Sequence, residues 1–306
     1  MGCQRNATGG AGVRTALTAA KRDQSIGACP PLPVSRLPDG LVRRDPGQTQ
    51  AAFMTDTLSE ALAQPNARPE RDARDRLIVA LNAATVDDAH RLVGELEGLV
   101  SVFKIGLQLQ IDARVGALIA GLIENRKRVF LDYKYYDIPD TVGDATARAA
   151  KLGVSFLTVH GETEIVSAAV AATKGSDLKV LCVTVLTSLD SRGLRELFGR
   201  DVSLEALVRH RVSMAVAAGC DGAVAAPADV AGIRGLAGPE FLIVTPGVRQ
   251  EGESADEHKR AGTPAAAIAA GADYLVVGRP IINAPDVRAA ATRYIGEMQA
   301  AFDHLS

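Results

Sequence analysis

The chain has 306 residues, of which 47% are hydrophobic and 23% charged, and its formal net charge is −2 at pH 7. This composition is that of an ordinary globular protein. The near-neutral charge provides no basic surface for nucleic acid and no polybasic membrane anchor, and no apolar run approaches the roughly 20 residues that span a bilayer. We therefore expect a cytoplasmic protein with no nucleic-acid partner and no membrane partner.

The first 70 residues differ in composition from the rest of the chain. They are rich in Gly, Pro and Arg, lack hydrophobic periodicity and contain breakers such as "ACPPLPVSRLPDG". We expect residues 1–70 to be a disordered extension and residues 71–306 to form the folded domain. The Arg-rich composition vaguely suggests an organellar transit peptide, but Met54, which opens "MTDTLSEAL", favours a start codon assigned too early.

From Arg76 onward, short apolar runs alternate with amphipathic stretches of helical character. The runs are "RLIVALN" (76–82), "VSVFKIG" (100–106), "RVFLDYK" (128–134), "FLTVHG" (156–161), "KVLCVTVLTS" (179–188), "GAVAAP" (222–227), "FLIVTPG" (241–247) and "YLVVGRP" (274–280). Thr85 is a predicted helix N-cap, and Gly153 is a predicted C-cap. Continuous apolar strands that alternate with helices predict a parallel sheet covered on both faces. Eight such units favour an α/β fold of the (β/α)8 TIM barrel type, with an open doubly wound sheet as the alternative.

In a (β/α)8 barrel the functional residues lie at the carboxyl ends of the strands. Lys104 lies in the second predicted strand, and Asp132, Lys134 and Asp137 lie at or after the end of the third. Because Asp132 and Lys134 are two residues apart, we expect their side chains to share one face of the strand, which can be the barrel lumen. Alternating Lys and Asp charges favour one another's ionised forms. The cluster could therefore repel an anionic group of a substrate at one point and supply a proton beside it.

The last two predicted strands indicate a phosphate site. Gly247 follows strand 7, and Gly278 with Arg279 follows strand 8, where barrels bind phosphate through backbone N–H groups. The polar segment 249–263 between them is long enough to be a lid. No dinucleotide-binding or P-loop motif follows a strand, and no His/Asp/Glu cluster has metal-ligand spacing. The sequence therefore predicts a reaction that needs no metal and no cofactor.

At these residues the chain resembles the orotidine 5′-phosphate decarboxylase family. The resemblance covers about residues 76–298 and rests on "FKIGLQL", "RVFLDYKYYDIPDTV", "LTVH", "VTVLTS", "VTPGVR" and "ADYLVVGRPI", which occur in the family's order. It implies a homodimeric TIM barrel that converts orotidine 5′-phosphate to UMP, the last step of de novo pyrimidine synthesis, without metal or organic cofactor.

The resemblance also implies catalytic roles. Lys134 would protonate the carbon that loses its carboxylate, and Asp132 would crowd the departing carboxylate electrostatically. Lys104 would bind ribose and orient Asp132. Asp137, with Thr141, would reach across a dimer interface to the partner's ribose.

The resemblance implies binding roles for a second group of residues. Thr187 would read the pyrimidine edge. Arg249, Gly278 and Arg279 would hold the phosphate. Asn82 would hydrogen-bond a ribose hydroxyl.

The chain departs from the family pattern around the predicted site. Asn82 stands where the family has Asp, and His258 stands where the phosphate lid has Gln. The usual "KFHDIPN" reads "KYYDIPD", with Tyr135 and Tyr136, and the small residues after "VHA" read "VHGETE". Two alternatives therefore stay open. One is a paralogue that acts on another phosphorylated pyrimidine nucleoside or sugar acid, and the other is a non-catalytic nucleotide-binding barrel.

Overall fold

A computed structural model of the chain describes residues 72–253 and 260–305. The predicted disorder of residues 1–70, the role of Met54 and the position of His258 fall outside these residues. Within the described part the chain forms a closed barrel of eight parallel strands, and β1 pairs with β8 to close it. The predicted TIM barrel is confirmed, and the open-sheet alternative is wrong.

Each of the eight predicted apolar runs coincides with one strand, and β3 extends one residue past its run, to Tyr135. The strands are β1 Leu77–Ala80, β2 Val102–Ile105, β3 Arg128–Tyr135, β4 Phe156–Val159, β5 Lys179–Val183, β6 Gly222–Val224, β7 Leu242–Pro246 and β8 Tyr274–Val277. Most of them end before the predicted run does. Asn82, Thr187 and Gly278 therefore belong to the loops that follow the strands, which is where a barrel carries its functional side chains.

Helices connect the strands and cover the outside of the barrel. They are α1 Val86–Glu95, α2 Leu107–Gln110, α3 Val115–Glu124, α4 Pro139–Lys151, α5 Thr163–Ala172, α6 Ser191–Phe198, α7 Leu204–Ala217, α8 Val230–Ala237, α9 Pro264–Ala269, α10 Arg279–Ile282 and α11 Val287–Asp303. Thr85 caps α1, because its hydroxyl accepts the Asp88 N–H at 3.1 Å. Gly153 follows α4 with a φ of 81°, the left-handed conformation expected of a C-cap glycine.

Alternation along the strands divides the core into two layers. Ile78 lies in the lumen cluster, whereas its neighbours Leu77 and Val79 belong to the layer between sheet and helices. The lumen cluster contains Ile78, Ala80, Val102, Phe130, Phe156, Leu181, Val244, Tyr274 and Val276. These side chains close the barrel below the site, so the lumen is packed rather than open. No helix among the described residues is long and apolar enough to cross a bilayer.

Candidate active site

A cavity of about 330 Å³ opens at the carboxyl end of the barrel. Its lining includes nine residues predicted from sequence, which are Asn82, Lys104, Asp132, Lys134, Thr187, Gly247, Arg249, Gly278 and Arg279. Phe130, Val276 and Leu186 add an apolar surface to the same cavity. The combination of apolar and charged lining residues suits a ligand with an aromatic ring and anionic substituents.

Asp132 lies between two lysines at the centre of this cavity. Its Oδ2 accepts a hydrogen bond from Lys104 Nζ at 3.0 Å, and its Oδ1 accepts one from Lys134 Nζ at 2.8 Å. The side chains of Asp132 and Lys104 are 15% and 12% exposed, while that of Lys134 is 30% exposed. Lys134 is therefore the cation of the group that is most open to a ligand.

The two lysines keep Asp132 ionised although it is largely buried. Burial by itself raises the pKa of this carboxyl, but the charges of Lys104 and Lys134 and their hydrogen bonds outweigh it, so the pKa lies below the ordinary value of 3.8. The hydroxyl of Thr158 also donates to Asp132 Oδ1 at 3.0 Å. A fixed negative charge consequently stands in the cavity beside a proton donor.

Lys134 reaches the cavity by an irregular backbone, not by simple strand alternation. The pairing of β3 with β4 shifts between Leu131 and Tyr135, and Lys134 has a φ of 51°. Its N–H donates to the Thr158 hydroxyl at 3.0 Å. The expected shared face of Asp132 and Lys134 is found, but the reason is a bulge that re-aims the lysine. Such strained positions are concentrated at functional sites.

Arg249 and Gly278 form the other end of the cavity, where phosphate was predicted. Arg249 is only 6% exposed, and its Nη1 donates to the Val248 carbonyl at 2.8 Å. Gly278 lies against Asn82, since a Cβ built on it would stand 3.6 Å from Asn82 Nδ2. The cavity lining therefore includes two arginines besides the Asp132 cluster, Arg249 in the loop after β7 and Arg279 at the start of α10.

Asp137 and Thr141 do not line the cavity of their own chain. Both are exposed, and Asp137 Oδ1 accepts the N–H of Ile138 at 2.7 Å. One chain thus brings together three members of the predicted charged cluster, and the fourth faces outward. Ile138 and Tyr136 beside it are 65% and 63% exposed, which makes this edge apolar as well as charged.

Residues that depart from the family pattern contact one another at the rim. The Tyr136 hydroxyl donates to Glu162 Oε1 at 3.1 Å, and the Tyr136 ring lies edge-on to His160. Gly161 leaves room for that ring: its φ is 114°, and a Cβ there would stand 2.8 Å from Tyr136 Cε2. Three of the departures from the family pattern, Tyr136, Gly161 and Glu162, therefore pack together at the rim.

His160 is a neutral group beside the cluster. Burial, together with the charges of Arg211 and Lys134, lowers its pKa to about 4. Its backbone N–H donates to the Tyr135 carbonyl at 2.9 Å. This geometry supports a structural histidine.

The sequence analysis did not single out Thr158 or Arg211. Thr158 could have been found, because it lies two residues after the lumen residue Phe156 and must therefore face the lumen as well. Arg211 comes from α7, far along the chain, and donates to the Thr184 carbonyl. No local pattern identifies it.

The described residues contain no group of three or more His, Cys, Asp or Glu side chains arranged to hold a metal ion. The prediction of a metal-free site remains a prediction, because the described residues are not the whole chain.

Comparison with known proteins gives consistent results. A family model described as "Orotidine 5′-phosphate decarboxylase / HUMPS family" matches residues 75–294. The chain is 48% identical over 231 residues to the orotidine 5′-phosphate decarboxylase of Nitrobacter winogradskyi. The aligned region covers 75% of this chain and 95% of that protein. The chain is 44% identical over 228 residues to the orotidine 5′-phosphate decarboxylase of Afipia carboxidovorans, with 74% and 96% covered. The crystal structure of orotidine 5′-phosphate decarboxylase from Lactobacillus acidophilus superposes with a TM-score of 0.64 at 32% identity, covering 73% of this chain and 99% of that one.

Proposed function

The chain belongs to the orotidine 5′-phosphate decarboxylase / HUMPS family, and we propose from this membership how its cavity works. The protein is a carboxy-lyase that converts orotidine 5′-phosphate to UMP and carbon dioxide. The observation that carries the mechanism is the buried carboxylate of Asp132 held between two lysine ammonium groups. We place the reaction in pyrimidine biosynthesis.

Asp132 and Lys134 perform the chemical step. The substrate carboxylate lies beside Asp132, and the repulsion between the two like charges disfavours the bound substrate relative to the transition state. The bond between the ring carbon and the carboxylate breaks, and its electron pair remains on that carbon. Lys134, whose ammonium is 2.8 Å from Asp132, stabilises the negative charge and then delivers its proton to the same carbon.

Lys104 keeps this arrangement in place. Its Nζ lies 3.0 Å from Asp132 Oδ2, the carboxylate oxygen that Lys134 does not bind. Asp132 therefore stays ionised when Lys134 has given up its proton. The same ammonium stands next to Asn82 at the edge of the cavity, where both can hydrogen-bond ribose hydroxyl groups.

The remaining lining residues bind the substrate away from the reacting carbon. Arg249, Arg279 and the backbone at Gly278 hold the phosphate, because guanidinium groups form paired hydrogen bonds with phosphate oxygens. Thr187 reads the polar edge of the pyrimidine, while Phe130 supports the ring. Binding free energy from the phosphate then offsets the repulsion at the carboxylate.

We propose a cytoplasmic homodimer that shares its active sites. Asp137 and Thr141 are exposed and lie outside their own cavity, and the exposed apolar side chains of Tyr136 and Ile138 surround Asp137. An apolar edge of this kind is typical of a subunit interface. In a symmetric dimer the edge would carry Asp137 to the ribose in the partner's cavity.

The assay is direct. Purified protein is mixed with orotidine 5′-phosphate, and loss of the orotate absorbance is followed together with UMP formation. Turnover is expected without added metal or cofactor. UMP binding without turnover would remove the decarboxylase and leave the paralogue and the non-catalytic barrel, and lack of both would indicate a different substrate.

Shared sites predict complementation between inactive variants. Lys134→Ala and Asp137→Ala chains, each inactive alone, are refolded together. Mixed dimers then contain one site with both native side chains, so about a quarter of the wild-type activity per site should return. No recovery, with mixed dimers present, would show that each site is built from one chain.

A further inference from the structure

Arg260 joins three loops at the carboxyl end of the barrel. Its Nη2 donates to the carbonyls of Val185 at 3.0 Å and Leu186 at 3.2 Å, in the loop after β5. Its Nη1 forms an ion pair with Asp229, in the loop after β6. The side chains of Arg260 and Asp229 are 11% and 10% exposed, so the contact is almost fully enclosed.

The chain next to Arg260 is bonded to the phosphate end of the cavity. The carbonyl of Gly262 accepts the N–H of Arg249 at 2.9 Å, and Gly262 pairs with Val248 in a parallel bridge. Gly262 also packs closely on Pro227, since a Cβ at this glycine would lie 2.7 Å from the Pro227 Cβ. The backbone of Arg249 is therefore hydrogen-bonded to the segment that carries Arg260.

The carbonyls that Arg260 holds precede the base side of the cavity. Leu186 lines the cavity itself, and Thr187 and Ser188 follow it directly. A single guanidinium thus lies between the residues that face the phosphate and those that face the pyrimidine. A lysine could not reproduce this, because its single nitrogen lacks the planar fork that reaches a carboxylate and two carbonyls together.

We propose that Arg260 is a positioning residue that couples phosphate binding at Arg249 to the placement of Thr187 and Ser188 against the base. The inference rests on the proposed function, since it takes the ligand to be a pyrimidine nucleotide. Occupation of the phosphate end orders the segment 260–262, and Arg260 passes this order to the loop after β5. Arg260 does not touch the reacting atoms.

A matched pair of variants separates this role from a structural one. Arg234 forms a similar buried pair, with Asp273 at 2.5 Å, and also donates to backbone carbonyls, including that of Gly271 at 2.8 Å. It lies at the amino end of the barrel, away from the cavity. Arg260→Lys and Arg234→Lys should both lower Tm. Only Arg260→Lys should lower kcat/KM for orotidine 5′-phosphate, by at least tenfold, with Arg234→Lys within threefold of wild type.

Binding of the two halves of the nucleotide measures the coupling itself. Uridine affinity is determined by calorimetry with and without saturating inorganic phosphate. We expect phosphate to tighten uridine binding at least fivefold in wild type and in Arg234→Lys, and less than twofold in Arg260→Lys. Asp229→Asn is a milder change to the same pair and should also reduce the coupling.

The outcomes distinguish the two proposals. Absence of turnover in the wild type would overturn the proposed function. Normal turnover with equal losses in the two lysine variants, or phosphate coupling that persists in Arg260→Lys and Asp229→Asn, would overturn the role of Arg260 and leave the decarboxylase function in place. Absence of coupling in an active wild type would also overturn it.

Discussion

Replacement of Lys134 by Ala removes the group that we assign as proton donor. General acid catalysis by a positioned side chain contributes about 10²–10⁴-fold to a rate. Lys134 also provides the positive charge that stabilises the negative carbon before the proton is transferred. We therefore expect Lys134→Ala to lower kcat by at least about 10³-fold, which corresponds to roughly 4 kcal/mol of transition-state stabilisation.

The same substitution should change folding stability far less. Asp132 keeps its hydrogen bonds from Lys104 and Thr158, both at 3.0 Å. Water can replace the ammonium, because the Lys134 side chain is 30% exposed. Breaking a fully enclosed ion pair costs about 3–5 kcal/mol. Here we expect a loss of free energy of unfolding of about 1 kcal/mol, the scale of pairs that solvent can reach.

The measurement combines three assays on two variants. Loss of orotate absorbance gives kcat, calorimetry gives UMP affinity, and urea unfolding gives stability. The control is Lys179→Ala, which removes an ammonium 2.9 Å from Asp221 at the opposite end of the barrel and should keep turnover within twofold of wild type. A Lys134→Ala enzyme that binds UMP normally and retains more than a tenth of the wild-type kcat would refute the assignment.

Three further changes test other parts of the site. Asn82→Asp adds a negative charge near Lys104 and restores the residue typical of the family, so we expect kcat/KM to rise by up to about tenfold, and an unchanged or lower value would show that the amide suits this site. Gly161→Ala should lower the free energy of unfolding by about 1–3 kcal/mol, because φ at Gly161 is 114° and the new Cβ would clash with Tyr136. Its control is Gly232→Ala in helix α8, where nothing lies within 4 Å of the new Cβ and the free energy of unfolding should rise by about 0.5–1 kcal/mol. Urea unfolding that ranks the two variants the other way would contradict this packing. Burial and nearby cations lower the pKa of His160 to about 4, so between about pH 6.5 and pH 4 the unfolded chain binds a proton that the folded chain does not. The free energy of unfolding should therefore fall as the pH decreases through this range. His160→Gln should remove this part of the pH dependence, and an unchanged pH dependence in the variant would contradict the low pKa of His160.

Much of the architecture follows from local pattern. The eight apolar runs each mark one strand, because a parallel strand covered on both faces is largely apolar. The cavity lining follows from the same pattern, since parallel strands bring their carboxyl ends to one rim. Lys104 and Asp132 meet because both are lumen-facing residues on adjacent strands.

The rest depends on contacts between distant segments. The left-handed conformation of Lys134 arises from a bulge between β3 and β4 that no spacing rule predicts. Arg260 forms its contacts 31 and 74–75 residues away in sequence, so nothing around it indicates a partner. Asp137 shows the opposite case. It continues a charged motif, yet the turn after β3 points it away from the cavity.

The backbone conformation at Lys134 lowers the stability of the fold, while the lysine side chain at this position is required for catalysis. A φ of 51° is strained for lysine and unstrained for glycine, with a difference of about 1 kcal/mol or more. A library of variants at this position selected only for heat resistance should therefore accumulate glycine, and it should lose the decarboxylase as it does so. Residue 134 should therefore be sequenced first when stabilised versions of this barrel are screened, because glycine at this position would mean that stability was gained at the expense of turnover.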